Sequence, residues 1–379
     1  MEFDTKLIHG YKYVDPVTGA TSIPKYQAST FQQLNFPNNQ SYSYSRFGNP
    51  TVEYLENALA ALENAKYGVC LSSGIAAISS VLLTLHSGDH IVLGNNVYGG
   101  TKQLVEELNE RYGVNFTCVD ETNIDSWKKA INSRTKLLYI ETPSNPLLSI
   151  TDIKEIVKLA KDKNILTVAD NTFMTPYYQN PLSLGVDIVI QSCTKFLGGH
   201  SDIILGFVAT NDSQLYQLIQ NNRKEFGFTP GVEECWLCMR GIKTLAVRLE
   251  KSSKSAEKLA TLLQNVDGVK KVYYPGLSTH DGHDTHLSQS SNGGMVVSFE
   301  LESEGLTKQL LKNVTIPIVA VSLGGVESIL SYPWSMSHAC ISEEERLAMG
   351  VTPNLVRLSV GVENVNDLFL DIKNSIGGK

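Results

Sequence analysis

Lys195 is the residue in this sequence best placed for covalent chemistry. It closes the run Ile190-Gln191-Ser192-Cys193-Thr194-Lys195, apolar at its start and polar at its end, the pattern of a buried strand reaching its sheet edge. An amine held there can attack a carbonyl carbon once it has lost its proton. Twenty-five residues earlier, Ala169-Asp170-Asn171-Thr172 ends another apolar run and sets a carboxylate at the same kind of edge. A plain ion pair between Asp170 and Lys195 is the bland reading. The neighbours carry more than that. Ser192 and Thr194 offer hydroxyls, and Ser72-Ser73-Gly74-Ile75 opens a helix whose free amides can hold an anion. Tyr98, just before Gly99-Gly100, offers a flat ring. These are the parts that pyridoxal phosphate (PLP) requires: an amine for the Schiff base, an anion to keep the pyridine nitrogen protonated, donors for the phosphate and a side chain to stack on the ring.

Elements must bring these residues together. The runs His90-Ile91-Val92-Leu93, Lys136-Leu137-Leu138-Tyr139-Ile140, Ile165-Leu166-Thr167-Val168-Ala169 and Asp187-Ile188-Val189-Ile190 predict buried strands. Helical patterns lie between them, as from Asp152 to Lys163 with Ile153, Ile156, Val157 and Leu159. Strand–helix alternation predicts an α/β fold with a mostly parallel sheet covered on both faces. Ligands in such sheets sit beyond the carboxyl ends of the strands. Pro50 opens a helix with Val52, Leu55, Leu59 and Leu62 on one face. The residues before it are irregular, and Tyr26, Phe31, Tyr42, Tyr44 and Phe47 mark them as an arm that packs on a neighbour. A long helix is expected from Cys235 to Leu262, with Gly241 as its break. Strands over 268–275, 294–301 and 355–362, with helices over 305–312 and 364–376, then predict a smaller α+β domain. The expected division is an arm (1–47), a large domain (48–246) and a carboxy-terminal domain (247–379).

Other chemistries find less support. No G-x-G-x-x-G follows a strand and there is no G-x-x-x-x-G-K-[ST], so neither nucleotide fingerprint is present. Cys235-Trp236-Leu237-Cys238 is a single C-x-x-C in a helical run, which reads as packing rather than metal or redox chemistry. His280, His283 and His286 are expected on a solvated turn, and no metal is expected. A net charge of −7 without a basic run argues against nucleic acid. Six scattered cysteines among 379 residues, Cys340 included, suit reduced thiols in the cytoplasm. The 22 residues between Lys66 and Asp89 carry no formal charge, but Ser72, Ser73, Gly74, Ser79, Ser80, Thr84, His86 and Ser87 interrupt them. They read as a buried helix rather than a membrane span.

The residues also resemble a known family, the Cys/Met-metabolism PLP-dependent enzymes, over nearly the whole chain. Ser192-Cys193-Thr194-Lys195 with Gly198-Gly199-His200-Ser201-Asp202 is similar to the family's lysine motif. The segment from Tyr44 to Thr51 resembles the one whose Tyr and Arg, here Tyr44 and Arg46, reach the phosphate of a neighbouring subunit's cofactor. Tyr98-Gly99-Gly100-Thr101 resembles the ring-stacking motif. Glu141-Thr142-Pro143-Ser144-Asn145-Pro146 resembles the segment whose Asn, here Asn145, bonds the cofactor's phenolic oxygen. The stretches Val321 to Ser328 and Val356 to Gly361 resemble the parts that bind the substrate α-carboxylate, with Ser322 and Arg357 at the matching positions.

The resemblance implies fold type I, as in aspartate aminotransferase, with a seven-stranded, mainly parallel sheet, and a homotetramer of two tight dimers with shared sites. It implies that Lys195 binds the cofactor and moves protons, that Asp170 holds the ring nitrogen, and that Ser73, Gly74, Ile75, Ser192 and Thr194 surround the phosphate. Tyr98 would stack and help to deprotonate the incoming amine. Within the family, Gly100 stands where methionine γ-lyases have Cys. Val321 stands where many γ-lyases and γ-synthases have Glu. The surrounding text, Ile329-Leu330-Ser331-Tyr332-Pro333 with Met336-Ser337-His338-Ala339, resembles the β-lyases of Gram-positive bacteria. The expectation is therefore β-elimination of cystathionine, with γ-elimination second and γ-synthase or acylhomoserine thiolyase activity third. A PLP-binding regulator without turnover is the reading from another class, and the chain has no spare length or basic helix for a DNA-binding module.

Overall fold

A computed structural model of the chain describes residues 1–37, 40–337, 339 and 341–377. His338 and Cys340 lie outside the described residues. The amino-terminal stretch, expected to be irregular, holds one short helix, α1 (Phe3–His9), and a bridge between Thr30 and Tyr44. Helix α2 (Pro50–Leu62) starts at Pro50, where the missing N–H costs nothing, and the Asn49 side chain accepts the Thr51 N–H.

Strands and helices then alternate: β1 (Tyr67–Leu71), α3 (Gly74–Leu82), β2 (His90–Gly94), α4 (Gly99–Tyr112), β3 (Asn115–Val119), α5 (Ile124–Ala130), β4 (Thr135–Glu141), α6 (Ile153–Lys161), β5 (Leu166–Asp170), the single turn α7 (Thr175–Tyr178), β6 (Ile188–Ser192), β7 (Gly206–Thr210) and α8 (Ser213–Phe226). They build one seven-stranded sheet in the order β1-β7-β6-β5-β4-β2-β3, in which only β7 runs antiparallel to its neighbours. Strands such as β2 are buried at every position, which is why they read as unbroken apolar runs. The uncharged stretch is β1 followed by α3. Among the described residues no helix is long and apolar enough to cross a membrane.

The expected long helix is two: α9 (Val232–Ile242) and α10 (Leu245–Leu263). Gly241 is not the break but lies inside α9, where a Cβ would meet the Gly198 carbonyl oxygen at 2.4 Å. Its lack of a side chain lets α9 pack directly on the turn that follows Lys195. The remaining elements are β8 (Val269–Tyr273), α11 (His283–Gln289), β9 (Val296–Leu301), α12 (Glu304–Asn313), β10 (Ile318–Val319), β11 (Ile329–Ser331), α13 (Glu343–Ala348), β12 (Leu355–Ser359) and α14 (Val365–Gly377). They form a second sheet, ordered β10-β11-β12-β9-β8, with its own apolar core between the sheet, α10 and α14.

The histidines correct the sequence reading. His280 and His286 are buried, and all three rings face backbone carbonyls: His280 that of Leu148, His283 that of Pro275 and His286 that of Asn292, each at 2.8–2.9 Å. They pin α11 and its approach to the core and do not sit on a solvated turn. Cys235 and Cys238 are free and fully buried.

Candidate active site

Four parallel strands of the large sheet end on one edge, and each delivers a residue to a cavity of about 540 Å³. β1 leads into Ser73 and Gly74, β4 ends at Glu141 ahead of Asn145, β5 ends at Asp170, and β6 ends at Ser192 ahead of Thr194 and Lys195. Arg357 from β12 of the second sheet, with Val321 and Ser322 from the loop between β10 and β11, closes the cavity.

Lys195 sits in a turn whose N–H reaches back to the Ser192 carbonyl. Its ammonium donates to Ser322 Oγ at 2.7 Å. Burial, and then the positive charge of Arg357, bring the amine down to about 8. A free base is thus accessible near neutral pH. Asp170 takes the Thr172 N–H on Oδ1 at 3.0 Å and a long 3.4 Å contact from Tyr139 Oη. Burial nevertheless pushes its carboxyl up, and none of the groups acting on it is a cation.

At the end of the cavity formed by the start of α3, Ser73 caps that helix by accepting the Ala76 N–H at 3.1 Å. A Cβ on Gly74 would meet Ser192 Oγ at 2.8 Å, so only glycine lets the start of α3 come this close to the end of β6. Ile75 follows in the first turn of α3, half-exposed to the cavity. The Thr194 hydroxyl bonds the Leu205 backbone, donating to its carbonyl at 3.3 Å and accepting its N–H at 3.0 Å. Tyr98 precedes α4 with its ring 47% exposed over the cavity. Its backbone N–H donates to Glu141 Oε2 at 2.8 Å. A Cβ at Gly100 would lie 2.5 Å from the Tyr98 ring, so any side chain there would displace it.

Arg357, in the middle of β12 and 3% exposed, forms the opposite wall. Nη1 donates to Asn145 Oδ1 at 2.7 Å, and Nη2 to the Ser322 carbonyl at 2.7 Å and Ser331 Oγ at 3.1 Å. Nε is buried without a partner. Ser322 holds φ +83°, a left-handed conformation that turns its carbonyl to Arg357 while its hydroxyl meets Lys195. Val321 beside it is 59% exposed at the cavity mouth.

Two expected residues are absent from this cavity. Tyr44 and Arg46 are exposed, and the Arg46 guanidinium donates to the Lys224 carbonyl and lies over the Phe47 ring. Conversely, sequence reading assigned no role to Glu141, Ser331 or Arg248. Arg248 is buried and donates to the carbonyls of Phe196 (2.8 Å) and Gly241 (3.0 Å), tying the lysine turn to α9 and α10. Nothing near Arg248 in sequence signals the contact with the lysine turn, because Phe196 and Leu197 lie about fifty residues earlier in the chain.

The cavity fits pyridoxal phosphate on its own geometry. An amine, a half-buried carboxylate lacking a cation, a glycine-opened helix start and a ring face converge on it. A model of the Cys/Met metabolism PLP-dependent enzymes matches residues 4–377. Cystathionine beta-lyase MetC of Bacillus subtilis is 50% identical over 98% of this chain and 96% of its own. Cystathionine beta-lyase of Lactococcus lactis subsp. cremoris is 46% identical over 99% of both. Among solved structures, cystathionine gamma-lyase from Lactobacillus plantarum with L-serine superposes with a TM-score of 0.96 at 42% identity, covering 100% of this chain and 99% of that one.

Proposed function

The chain belongs to the Cys/Met metabolism PLP-dependent enzymes, and we infer that it cleaves L-cystathionine by β-elimination to homocysteine, pyruvate and ammonia. It is a PLP-dependent carbon–sulfur lyase. The observation that carries the β reading is Val321, an uncharged side chain at the cavity mouth, together with the β-lyase relatives. When bound, the cofactor supplies an electron sink for the charge left on the substrate's α-carbon.

The remaining steps fall to the chain's own side chains. Arg357 takes the α-carboxylate, for which its planar fork is suited, and Ser322 and Asn145 orient it. Lys195, brought down to about 8, removes the α-proton and returns a proton to the departing sulfur. Asp170 holds the positive charge of the ring nitrogen. Ser73, Gly74, Ile75, Ser192 and Thr194 hold the phosphate, and Tyr98 covers the ring and assists in deprotonating the substrate amine. Tyr44 and Arg46, exposed in one chain, complete the phosphate site of a neighbour in a homotetramer, which works in the cytoplasm. The division into an arm (1–47), a cofactor domain (48–246) and a carboxy-terminal domain (247–379) belongs to the same proposal.

The γ-lyase reading stands second, because a γ-lyase from Bacillus subtilis is 43% identical over 99% of this chain. The two readings part on one measurement. Incubated with cystathionine, a β-lyase accumulates pyruvate and homocysteine, and a γ-lyase 2-oxobutyrate and cysteine. A predominance of 2-oxobutyrate overturns the β assignment.

A further inference from the structure

Helix α10 runs through both halves of the molecule. Its first turns pack Leu245, Ala246 and Leu249 into the core that holds Phe196 and Leu197 of the lysine turn. Its later turns pack Ala256, Leu259 and Leu263 into the core of the second sheet, which also holds Val356 and Leu358 of β12. Two buried polar side chains of the helix, Arg248 and Ser252, stand four residues apart and so on one face. They tie it to the segments that carry the two opposed cations of the cavity.

Arg248 takes the lysine side. Nη1 donates to the carbonyl of Phe196, the residue after Lys195, at 2.8 Å, and Nη2 reaches that of Leu197 at 3.4 Å. Nη2 also holds the Gly241 carbonyl at 3.0 Å, and Nε the Thr244 hydroxyl at 3.2 Å. A Cβ on Gly199 would lie 2.1 Å from Nη1, so the turn rests directly on the guanidinium. These acceptors are all uncharged, and burying a cation among them is costly. What Arg supplies in return is a rigid fork that grips several carbonyls at once, which an ammonium cannot do. Ser252 takes the arginine side. Its hydroxyl donates at 3.0 Å to the carbonyl of Gly361, four residues beyond Arg357 where the chain leaves β12.

We propose that α10 is the spacer that sets Lys195 against Arg357, with Arg248 and Ser252 as its positioning residues. The tips of the two side chains also meet Ser322, through its hydroxyl and its carbonyl. That residue sits on a loop, whereas α10 ties down the backbones that carry them. The separation so fixed is the one a substrate must span, with its α-carbon at the amine and its carboxylate in the fork. The proposal rests on the cavity being the PLP site and on the roles given above to Lys195 and Arg357.

Variants of each end test it. Ser252→Ala frees the end that carries Arg357. In the loaded enzyme its KM for cystathionine should rise about fivefold, the worth of one hydrogen bond. Its kcat, and the apoprotein's Kd for pyridoxal phosphate, should stay within about twofold of wild type. Arg248→Lys keeps the charge but not the fork, and kcat should fall about tenfold as Lys195 loses its aim. Either release already frees the spacing. The double variant should therefore lose about tenfold in kcat/KM, as Arg248→Lys alone does, and not the product of about fiftyfold. If Arg248→Lys does not fold, Ser252→Ala decides alone. A wild-type KM in Ser252→Ala, a cofactor Kd that rises along with its KM, or a double variant that loses the full product overturns the proposal. A wild-type protein that shows no visible band on loading with pyridoxal phosphate refutes the PLP reading itself, which is a different failure.

Discussion

At Asp170 a half-buried carboxylate stands beside strand-end neighbours that give it hydrogen bonds but no cation. Shielding an uncompensated anion from water is costly, and under the proposed function the protonated ring nitrogen of the cofactor would relieve it. Asp170→Asn should therefore retain cofactor yet lose at least about tenfold in kcat/KM, roughly 1.4 kcal/mol of transition-state stabilisation. A smaller loss in steady-state kinetics would mean that Asp170 does not serve the ring nitrogen. Val321 lies at the other end of the site, half open to solvent. A carboxylate there would pair with the distal ammonium of cystathionine in a screened setting, worth about 1 kcal/mol, or roughly fivefold. Val321→Glu should shift the ratio of 2-oxobutyrate to pyruvate upward by about that factor. If Val321 only packs against Leu323, both products fall together and the ratio stays put.

Between elements, the link from α2 to β6 carries a second buried acid. Glu63 closes α2 and is 1% exposed. Gln191, directly before Ser192, donates to its Oε1 at 2.7 Å, and Oε2 has no partner. Burial raises the carboxyl from 4.5 to about 8, against the hydrogen bond that lowers it. In this window the folded chain binds a proton that the unfolded chain has released, so stability falls as pH rises from about 4.5 to about 8. Glu63→Gln keeps the hydrogen bond and cannot ionise. Its Tm should match the wild type near pH 5 and exceed it at pH 8, by a free energy on the order of a few kcal/mol. Equal Tm curves across that range would show that Glu63 is not neutral in the fold. Arg248 works at the same scale, since it holds α9, α10 and the lysine turn as one piece through three backbone carbonyls and the Thr244 hydroxyl.

At the scale of the whole molecule, the arm leaves large apolar side chains uncovered in a single chain, with Leu34 75% and Phe36 84% exposed. Surface of this kind marks an interface. With Tyr44 and Arg46 on the same arm, a site completed by a neighbour makes a strict demand. Arg46→Ala and Lys195→Ala are each expected to be inactive, and exchanging their subunits should restore part of the activity. One site of a mixed dimer then has both native residues, because Arg46 of one chain serves Lys195 of the other. Verified exchange without recovery counts against shared sites.

The 3.6-residue helical period, and the apolar runs that end in Asp170 and Lys195, made the parallel sheet and its polar edge legible from sequence. Those features are local, and a strand buried on both faces leaves no room for polar residues until it reaches its end. The helix start at Ser73-Gly74 was legible for the same reason, since it opens a helix wherever that helix lies. Tertiary structure alone decided the rest. Gly241 reads as a break along the chain, and only the approach of Gly198 shows it to be a packing glycine. His280 and His286 stand among polar residues in sequence, but carbonyls from other segments bury them. Glu141 and Arg248 carry no local signal for the contacts that cross the fold, because the Tyr98 N–H and the Phe196 carbonyl reach them from more than forty residues away. Such long-range pairing is set by how the layers stack, which no window of sequence contains.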